Sequence, residues 1–286
     1  MTIPLSAGPD VALVEWSELR LRAIFDHCKW DPQCGDHPVL ARFPLILESE
    51  AVSELTHLAE QLTHEALAAE NEILAKPHLL SRLAIPAAIR RCFDKGTKAA
   101  QRRHIRVMRF DFHYTTRGWQ ISEVNADVPG GYVEASGWNH AIVVQSKRFP
   151  LIWDELNTNL ATWRELLPKS SCPSGIPKLD CDDLVLKPAF GRVGEDVAIH
   201  GVTDAHRYNQ ILRDALRRRT EWIAQQRFDV IPIATEGGDV FPCIGVYTVN
   251  GRMAGLYGRA AHTALIDHDA LDVAVLVRRE NHRRPQ

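Results

Sequence analysis

Apolar residues recur at helical spacing along the N-terminal third of the chain. Residues 14–26 carry them at positions 14, 16, 19, 21, 24 and 25, which predicts an amphipathic helix. Ser49–Leu74 combines returns of three and four residues with an Ala-, Leu- and Glu-rich composition, which predicts one long helix. Residues 78–98 continue with a break at Pro86, so one or two short helices are expected there. We therefore predict a helical N-terminal region over residues 1–104.

The period of the pattern changes from residue 105 onward. "IRVMRFDFHY" and "WQISEVN" alternate apolar and polar residues around a "TTRG" turn, which predicts a β-hairpin. Further strands are predicted in "LVLKP", "WIAQQRFDVIPI", "CIGVYTVNGRMAGLYGRAA" and "DVAVLV". Helices are predicted around 138–148, over "FPLIWDELNTNLATWRELL" and over "DAHRYNQILRDALRRR". Helices followed by mixed, mainly antiparallel strands favour an α+β fold over a doubly wound parallel sheet.

Composition narrows the classes of partner. The formal net charge is -2, from 34 basic and 36 acidic residues, so no strong field attracts nucleic acid or anionic lipid. The six cysteines lack the spacings of zinc sites and are interpreted as reduced thiols. The N-terminus has no basic start followed by a long apolar stretch, and no window approaches 18 apolar residues. A cytoplasmic protein is the expectation.

The hairpin concentrates polar side chains in a way that predicts a cation site. Asp111, Glu123, Asn125 and Asp127 lie close together, with few basic residues beside them in the sequence. Glu123 and Asn125 are two residues apart on one strand, so their side chains share a face. Crowded carboxylates repel one another unless a cation lies among them. The alternative reading is a set of polar hairpin residues at the surface.

The chain lacks the common phosphate-binding and hydrolase motifs GxxxxGK[ST], GxGxxG after a strand, GxSxG and HExxH. "LVLKPAFGRVGEDVAI" offers another way to hold phosphate, because Lys187 ends a buried strand before a loop containing Gly191 and Gly194. "GRMAGLYGRAA" places Arg259 at the end of a later strand. Taken singly, Lys187 would be interpreted as the exposed end of a strand, and Arg259 as an ordinary salt-bridge partner. A divalent cation, oxygen ligands and basic side chains together suit phosphoryl chemistry.

Five segments resemble, in order and in local wording, the glutathionylspermidine synthase family of ATP-grasp ligases. They are "RFDFHYTTRGWQISEVNADVP", "QSKRFPLIWDEL", "LVLKPAFGRVGEDV", "WIAQQRF" and "GVYTVNGRMAGLYGRAA". The likeness runs from about residue 105 to residue 277. It implies an ATP-grasp fold, with the catalytic region at 105–286 after the helical region, and ATP and Mg²⁺ as cofactors.

The resemblance also implies roles for individual residues. Asp111, Glu123 and Asn125 match the family's magnesium ligands. Arg109 matches the arginine that contacts the reacting phosphate or acyl phosphate, and Arg259 the late phosphate-contacting arginine. Lys147 and Lys187 match the two nucleotide-binding lysines. Gly191, Arg192 and Gly194 match the loop over the triphosphate. Gln225, with Gln226 as its alternative, matches the adenine hinge.

Some positions depart from the family pattern. The family has "ADTP[ST]" where this chain has "ADVPGG", so Val128 and Gly130 cannot supply hydroxyl groups to a thiol-peptide substrate. The family's long α/β segment between "EASGWN" and "QSK" is replaced by a short stretch near 137–146. This chain has "GRVG" where relatives have "GREG", and "GRAA" where they have "GIRE". These departures favour retained nucleotide chemistry with a different substrate.

Two functional hypotheses follow, from different classes. The first is a ligase that joins a small-molecule carboxylate to an amine through an acyl phosphate, with ATP and Mg²⁺. The second is a nucleotide-binding pseudoenzyme or regulatory partner that has lost the substrate-binding region. A metal-dependent hydrolase is a third reading, but it leaves the lysine and glycine elements unexplained. No nucleic-acid or membrane partner is expected, and a homo-oligomer is possible if another subunit completes the acceptor pocket.

Overall fold

The computed structural model describes residues 3–27, 29, 31–96, 105–126, 142–175, 183–191, 194 and 196–278. The α-helices are α1 (Leu13–Phe25), α2 (Ser49–Leu74), α3 (Pro77–Leu80), α4 (Ala87–Gly96), α5 (Ile142–Gln145), α6 (Ala161–Leu166) and α7 (Ala205–Arg217). The strands are β1 (Leu5–Ala7), β2 (Gln33–Cys34), β3 (His37–Pro38), β4 (Leu45–Glu48), β5 (Val107–Thr115), β6 (Gly118–Asn125), β7 (Ser170–Ser171), β8 (Leu184–Pro188), β9 (Ala198–Ile199), β10 (Trp222–Gln226), β11 (Ile233–Thr235), β12 (Gly238–Val249), β13 (Arg252–Ala261), β14 (Leu271–Val273) and β15 (Val275–Arg278).

The described strands form four sheets. The largest has the order β14-β13-β12-β5-β6, with β11 added alongside β12, and it is antiparallel throughout. A second antiparallel sheet, β7-β10-β8-β9, packs against α7 over its own apolar cluster. The hairpin predicted from the alternating pattern is confirmed as β5 and β6. The predicted α+β architecture is confirmed as well.

The long helix α2 lies against the largest sheet, and its bounds are those predicted from the sequence. The apolar residues that recur every three to four positions on one side of α2 are fully buried, among them Leu55, Leu62 and Ile73. Thr63 meets Thr248 of β12 inside this contact, with 2.9 Å between the two hydroxyl oxygens. The helix therefore forms the back of the sheet whose other face carries the predicted site.

The two ends of the described chain meet in one small sheet. Strand β4 lies between β1 and β15, antiparallel to β1 and parallel to β15. The N-terminal region thus contains short strands as well as helices, and residues on both sides of position 104 contribute to one apolar core. The proposed division into regions 1–104 and 105–286 stays a prediction.

Three sequence predictions of continuous elements are wrong in the same way. "FPLIWDELNTNLATWRELL" is a 3-10 helix, Phe149–Glu155, followed by the separate helix α6. "WIAQQRFDVIPI" divides into β10 and β11, and "DVAVLV" into β14 and β15, each pair shared between different sheets. The helix expected around 138–148 is described only as α5, because residues 127–141 lie outside the described residues.

Acidic residues of α2 explain the first of these breaks. Glu65 accepts hydrogen bonds from the backbone N–H groups of Thr162 and Trp163 at 3.0 and 3.1 Å, which satisfies the first turn of α6. Glu72 accepts from the backbone N–H groups of Asn157 and Thr158 at 2.7 and 2.8 Å. These bonds hold the connecting loop in a non-helical conformation.

Replacing Glu72 with Gln is expected to lower the free energy of unfolding by about 0.5–1.5 kcal/mol at pH 7, because two partly exposed backbone N–H donors lose a charged acceptor. The backbone N–H of Asn157, followed by the ammonium of Lys76, lowers the pKa of Glu72 to about 2. A carboxylate with a lowered pKa stabilises the fold fully above the unfolded pKa of about 4.3, and this contribution disappears as the pH falls towards 2. Urea unfolding at pH 7, 4.5 and 3 measures the difference.

The exposed Glu54 of the same helix provides the matched control, Glu54→Gln, for which a change within about 0.5 kcal/mol is expected. Equal effects of the two substitutions would contradict the role of Glu72. So would a difference between wild type and Glu72→Gln that stays constant from pH 7 to pH 3.

Within the described residues, no helix has both the length and the apolar content needed to cross a bilayer.

Candidate active site

Strand register gathers the predicted metal ligands on one face of the largest sheet. Asp111 of β5 lies directly opposite Glu123 of β6, and Arg109 lies opposite Asn125. The register slips by one residue between Asp111 and Phe112, a β-bulge at the level of the carboxylate pair. All four side chains line one cavity of about 970 Å³.

The three proposed ligands converge on a point. The amide nitrogen of Asn125 donates to Asp111 Oδ2 at 3.2 Å and to Glu123 Oε1 at 3.4 Å. This amide therefore occupies the place between two carboxylates that a cation suits, and rotation about its terminal bond would turn its oxygen there instead. Two carboxylates and an amide oxygen fit the oxygen preference of Mg²⁺, which commonly completes its octahedron with water and phosphate.

The sequence predicted few basic side chains near these carboxylates. This prediction is wrong, because the fold brings basic side chains to both of them. Arg109 donates to both oxygens of Asp111, at 2.6 and 2.9 Å, because residues two apart on β5 share a face. Lys147 lies 3.1 Å from Glu123 Oε2 although it is 24 positions later. The fold supplies the balancing charge from distant segments.

The two carboxylates differ in protonation behaviour. Burial raises the pKa of Glu123, but Lys147 and Lys187 outweigh it and bring the pKa down to about 2. Burial dominates at Asp111 and raises its pKa, with Glu123 adding to this rise and Arg109 opposing it. Glu123 is thus the carboxylate held firmly in its charged form.

Arg109 is held in a tight channel. An added Cβ at Gly245, the residue opposite Asp111 on β12, would lie 2.8 Å from Arg109 Cδ. The rings of Tyr247 and Tyr257 face the guanidinium, with centroids 5.9 and 5.5 Å from Cζ. Burial alone would lower the pKa of Arg109, but the charge of Asp111 holds it above its usual value. The glycine and the two tyrosines were not singled out from the sequence.

Lys187 ends β8 inside the same cavity. Its ammonium donates to Gln225 Oε1 at 2.8 Å and to the backbone oxygen of Ser122 at 3.1 Å. Burial lowers the pKa of Lys187 to about 8, with Lys147 also lowering it and Glu123 opposing the shift. The lysine is therefore only partly neutralised by fixed partners, which suits a group that receives an anion.

The side chain of Gln225, predicted to lie in the adenine hinge, has two partners within the protein. Its oxygen accepts from Lys187, and its nitrogen donates to Ser170 Oγ at 3.2 Å, so both ends are occupied within the protein. The following residue, Gln226, has an exposed side chain that lines the cavity beside Phe228. The place of Gln225, or of its alternative Gln226, in an adenine hinge stays a prediction.

The glycine loop also reaches the cavity, which Gly194 lines. Lys147 Nζ donates to the backbone oxygen of Gly191 at 3.1 Å, which ties the loop to Glu123. Gly194 has a φ of +69°, and an added Cβ would lie 2.8 Å from the backbone oxygen of Ile266. Arg192 lies outside the described residues.

Arg259 lies at one end of a polar network that the sequence motifs did not indicate. Its Nη2 donates to the backbone oxygen of Asp267, and its Nε is 3.9 Å from Asp272. Asp272 also accepts from the hydroxyl of Tyr257 and pairs with Lys29 at 2.7 Å. The segment that follows α1, with Lys29, therefore reaches the same cavity as the predicted metal ligands.

Two side chains of reactive types line the cavity in their neutral forms. Burial, followed by the charge of Lys187, lowers the pKa of His113 to about 4, and its Nε2 lies 3.1 Å from Ser122 Oγ. Burial raises the pKa of Cys243 well above its usual value, with Asp111 contributing. A neutral imidazole and a neutral thiol agree with structural or substrate-contacting roles for both.

Comparisons with known proteins bear on the fold and on one part of the chain. A solved structure of a glutathione synthetase-like effector from Globodera pallida, in its apo form, superposes with a TM-score of 0.50. The two sequences are 8% identical, and the superposition covers 84% of this chain and 90% of that chain. This likeness shows the fold, a glutathione synthetase-like ATP-grasp fold. No curated protein matches the chain.

A family model gives the more specific match. Residues 41–179 match the glutathionylspermidine synthase preATP-grasp domain, a span that includes β5, β6 and Lys147. It overlaps the predicted span only over residues 105–179, so the likeness of the later segments to this family stays a prediction. The resemblance itself is confirmed over residues 41–179, which are similar to the preATP-grasp domain of the glutathionylspermidine synthase family.

Proposed function

We propose that this protein is an ATP- and Mg²⁺-dependent ligase that forms an amide from a small-molecule carboxylate and an amine. The observation that carries the proposal is that a set of oxygen ligands and a set of cationic side chains line one cavity. Asp111, Glu123 and Asn125 face Lys187 and Arg109 there. The family and the fold support a synthetase-like ligase.

The proposed reaction divides the work between these sets. ATP would transfer its terminal phosphoryl group to the carboxylate, giving ADP and an acyl phosphate. The amine would then attack the acyl carbon, release phosphate and lose a proton to form the amide. A bound Mg²⁺ would neutralise phosphate charge, and Asp111, Glu123 and Asn125 would hold it.

The remaining residues would bind and orient the reactants. Lys147 contacts both Glu123 and the glycine loop, and Lys187 lines the cavity together with Glu123. A triphosphate would replace the present partners of both lysines. Arg109 and Arg259 lie towards Asp272, where the transferring group and the carboxylate would meet. Fixed cations in a buried site stabilise charge that develops during transfer, because little reorganisation is needed.

The test is incubation of the protein with Mg-ATP and pools of carboxylates and amines, with ADP and amide products measured together. Substrate-dependent ADP is expected, with a stoichiometric amide. Both are expected to disappear in Lys187→Ala, whereas the exposed-lysine control Lys169→Ala retains them. ADP formation that Lys187→Ala leaves unchanged would contradict the proposal.

A nucleotide-binding pseudoenzyme is the second candidate, and the short stretch near 137–146 favours it. In that case ATP binds, with a calorimetric signal that Lys187→Ala weakens, but no pool yields ADP. Absence of ATP binding to the wild-type protein would contradict both candidates.

Gly245→Ala is expected to reduce ADP formation by about 10-fold or more, because the added methyl group displaces Arg109 from its channel and misplaced groups lose rate steeply. The expected fall is in turnover rather than in ATP affinity. Gly255→Ala on the neighbouring strand is the control, since an added Cβ there meets nothing within 4 Å. Equal activity of the two variants would show that the position of Arg109 does not matter.

A further inference from the structure

The cavity contains a lysine held between two aspartates. The ammonium of Lys29 lies 2.7 Å from Asp272 Oδ2 and also contacts Asp31 Oδ1. All three side chains line the cavity. The side chains of Lys29 and Asp272 are only 21 and 14% exposed, so their contact is largely withdrawn from bulk water. Two carboxylates here form a position for one cation, and a side chain of the protein fills it.

The backbone is fixed on both sides of this contact. The N–H of Lys29 donates to the oxygen of Ala23 at 2.9 Å, which attaches the lysine to the end of α1. The N–H of Asp272 donates to the oxygen of Val39 at 2.7 Å, and its oxygen accepts from the N–H of Ala41 at 2.8 Å. These bonds hold the ammonium and the carboxylate in place relative to each other.

The cation position adjoins the groups proposed to meet the reacting carboxylate. The hydroxyl of Tyr257 donates to Asp272 Oδ1, and its ring faces Arg109, with 5.5 Å between the centroid and Cζ. Arg259 Nε lies 3.9 Å from the same aspartate. An amine that attacks an acyl group held by Arg109 and Arg259 therefore passes close to Asp272.

The charge on an amine substrate makes this position selective. A simple amine is an ammonium ion at pH 7, and a diamine has a second ammonium besides the group that reacts. A pair of carboxylates suits that second charge. Here both oxygens of Asp272 are occupied, by Lys29 and by Tyr257, and Asp31 also pairs with Lys29. A diamine must therefore displace Lys29 before its second ammonium reaches these carboxylates.

The covalent attachment of Lys29 decides this competition. A group on a short tether meets its site at an effective concentration on the order of millimolar. Lys29 is two residues from Asp31 and its backbone is hydrogen-bonded, so its ammonium competes at this level or above. A free diamine at lower concentration, with similar contacts to make, does not displace it.

We propose that Lys29 is a specificity-determining residue: its ammonium closes the cation position of Asp31 and Asp272, so that the amine substrate carries no second ammonium group. The identification of an amine substrate rests on the proposed ligase function, whereas the cation position does not. The alternative is an ion pair that only fastens the segment after α1 to β14. The two interpretations differ in how the protein binds diamines.

Calorimetric titration with 1,4-diaminobutane at pH 7 tests the cation position without turnover. Lys29→Ala is expected to bind the diamine at least about 10-fold more tightly than wild type, because the vacated position receives its ammonium. The neutral analogue 1,4-butanediol is expected to bind both proteins equally. Lys29→Arg keeps a tethered cation and is expected to match wild type. So is Lys169→Ala, which removes an exposed lysine.

A double variant tests the part played by the aspartates. Lys29→Ala combined with Asp31→Asn is expected to lose most of the gained affinity, because one of the two carboxylates is then missing. Lys29→Gln is a second neutral variant of nearly unchanged length, and it is expected to bind the diamine more tightly than wild type as well. Thermal unfolding verifies that each variant folds.

Turnover separates this proposal from that of the ligase. With Mg-ATP and the carboxylate pool, wild type is expected to use 1-aminobutane at least as well as 1,4-diaminobutane, measured as kcat/KM for ADP formation. Lys29→Ala is expected to raise kcat/KM for the diamine at least about 10-fold, through a lower KM, and to change that for the monoamine less than about 3-fold. Tighter diamine binding by Lys29→Ala without ADP from any pool would contradict the ligase and leave the cation position supported.

Two results would overturn the role of Lys29. The first is a wild-type protein that binds the diamine at least about 10-fold more tightly than the diol, or uses it by that factor better than the monoamine, because Lys29 then moves aside. The second is equal diamine binding by wild type and Lys29→Ala. That result would leave the ion pair a structural contact only.

Discussion

Glu123→Gln is expected to remove the effect of Mg²⁺ on nucleotide turnover, with a loss of more than about 100-fold in ADP formation. The residue is one of two carboxylates around the proposed metal position, and it is the one whose pKa neighbouring lysines lower to about 2. Loss even of a residue that only supports a metal ligand commonly costs 10- to 100-fold, so loss of a charged ligand costs more.

The same substitution has a second signature that a folding defect would not produce. Glu123 neutralises Lys147 at 3.1 Å, so the variant keeps two lysines with one carboxylate fewer. Binding of metal-free ATP, an anion, is therefore expected to be retained or strengthened while the enhancement by Mg²⁺ disappears. Titration calorimetry with ATP, in EDTA and then in Mg²⁺, measures both.

A matched control is Glu221→Gln, which removes a carboxylate from an exposed pair with Arg218 and leaves the cavity intact. It is expected to behave like wild type in both titrations. If Glu123→Gln retained the full enhancement by Mg²⁺, the assignment of this hairpin as the metal site would be wrong.

Glu70→Gln is expected to destabilise the fold by about 3–5 kcal/mol, the largest stability effect among the substitutions considered. Glu70 of α2 accepts two hydrogen bonds from Arg106, at 2.7 and 2.9 Å, and both side chains are nearly inaccessible to water. Removing one charge leaves the other buried without a counter-charge, which costs several kcal/mol. The free energy of urea unfolding measures the loss.

The double variant Glu70→Leu with Arg106→Met tests the cause. Replacing a buried ion pair by apolar side chains of similar volume is often neutral, so the double variant is expected to recover most of the stability lost in Glu70→Gln. Asp154→Asn removes one member of an exposed pair with Arg164 and is expected to change stability by less than about 1 kcal/mol. Equal losses in the buried and exposed pairs would contradict the prediction.

Elements governed by nearest neighbours were predictable from the sequence. The bounds of α2 follow from its three- and four-residue returns, and the β5–β6 hairpin from two alternating runs around a turn. Period-two alternation also placed Glu123 and Asn125 on one face. These features depend on backbone geometry and side-chain direction over a few residues, which local sequence determines.

The errors lie where distant segments compete for the same backbone. The long C-terminal runs divide because their halves pair with different strands, as β14 does with β13 and β15 with β4. The helix expected across residues 149–167 divides because acidic side chains of α2 bind the N–H groups between its halves. Hydropathy carries no information on such contacts, so a continuous pattern does not by itself imply a continuous element.

By itself the sequence determined the α+β class, the hairpin that gathers two carboxylates and an amide, and the resemblance to a ligase family. Only the tertiary structure decided the partners of those groups: Arg109 over Gly245, Lys147 on Glu123, and Gln225 on Lys187. It also brought Lys29 of the N-terminal loop to Asp272. The physical reason is that charge pairing depends on distances between atoms far apart in the chain, which packing and strand register set together, whereas periodicity depends on residues that are neighbours.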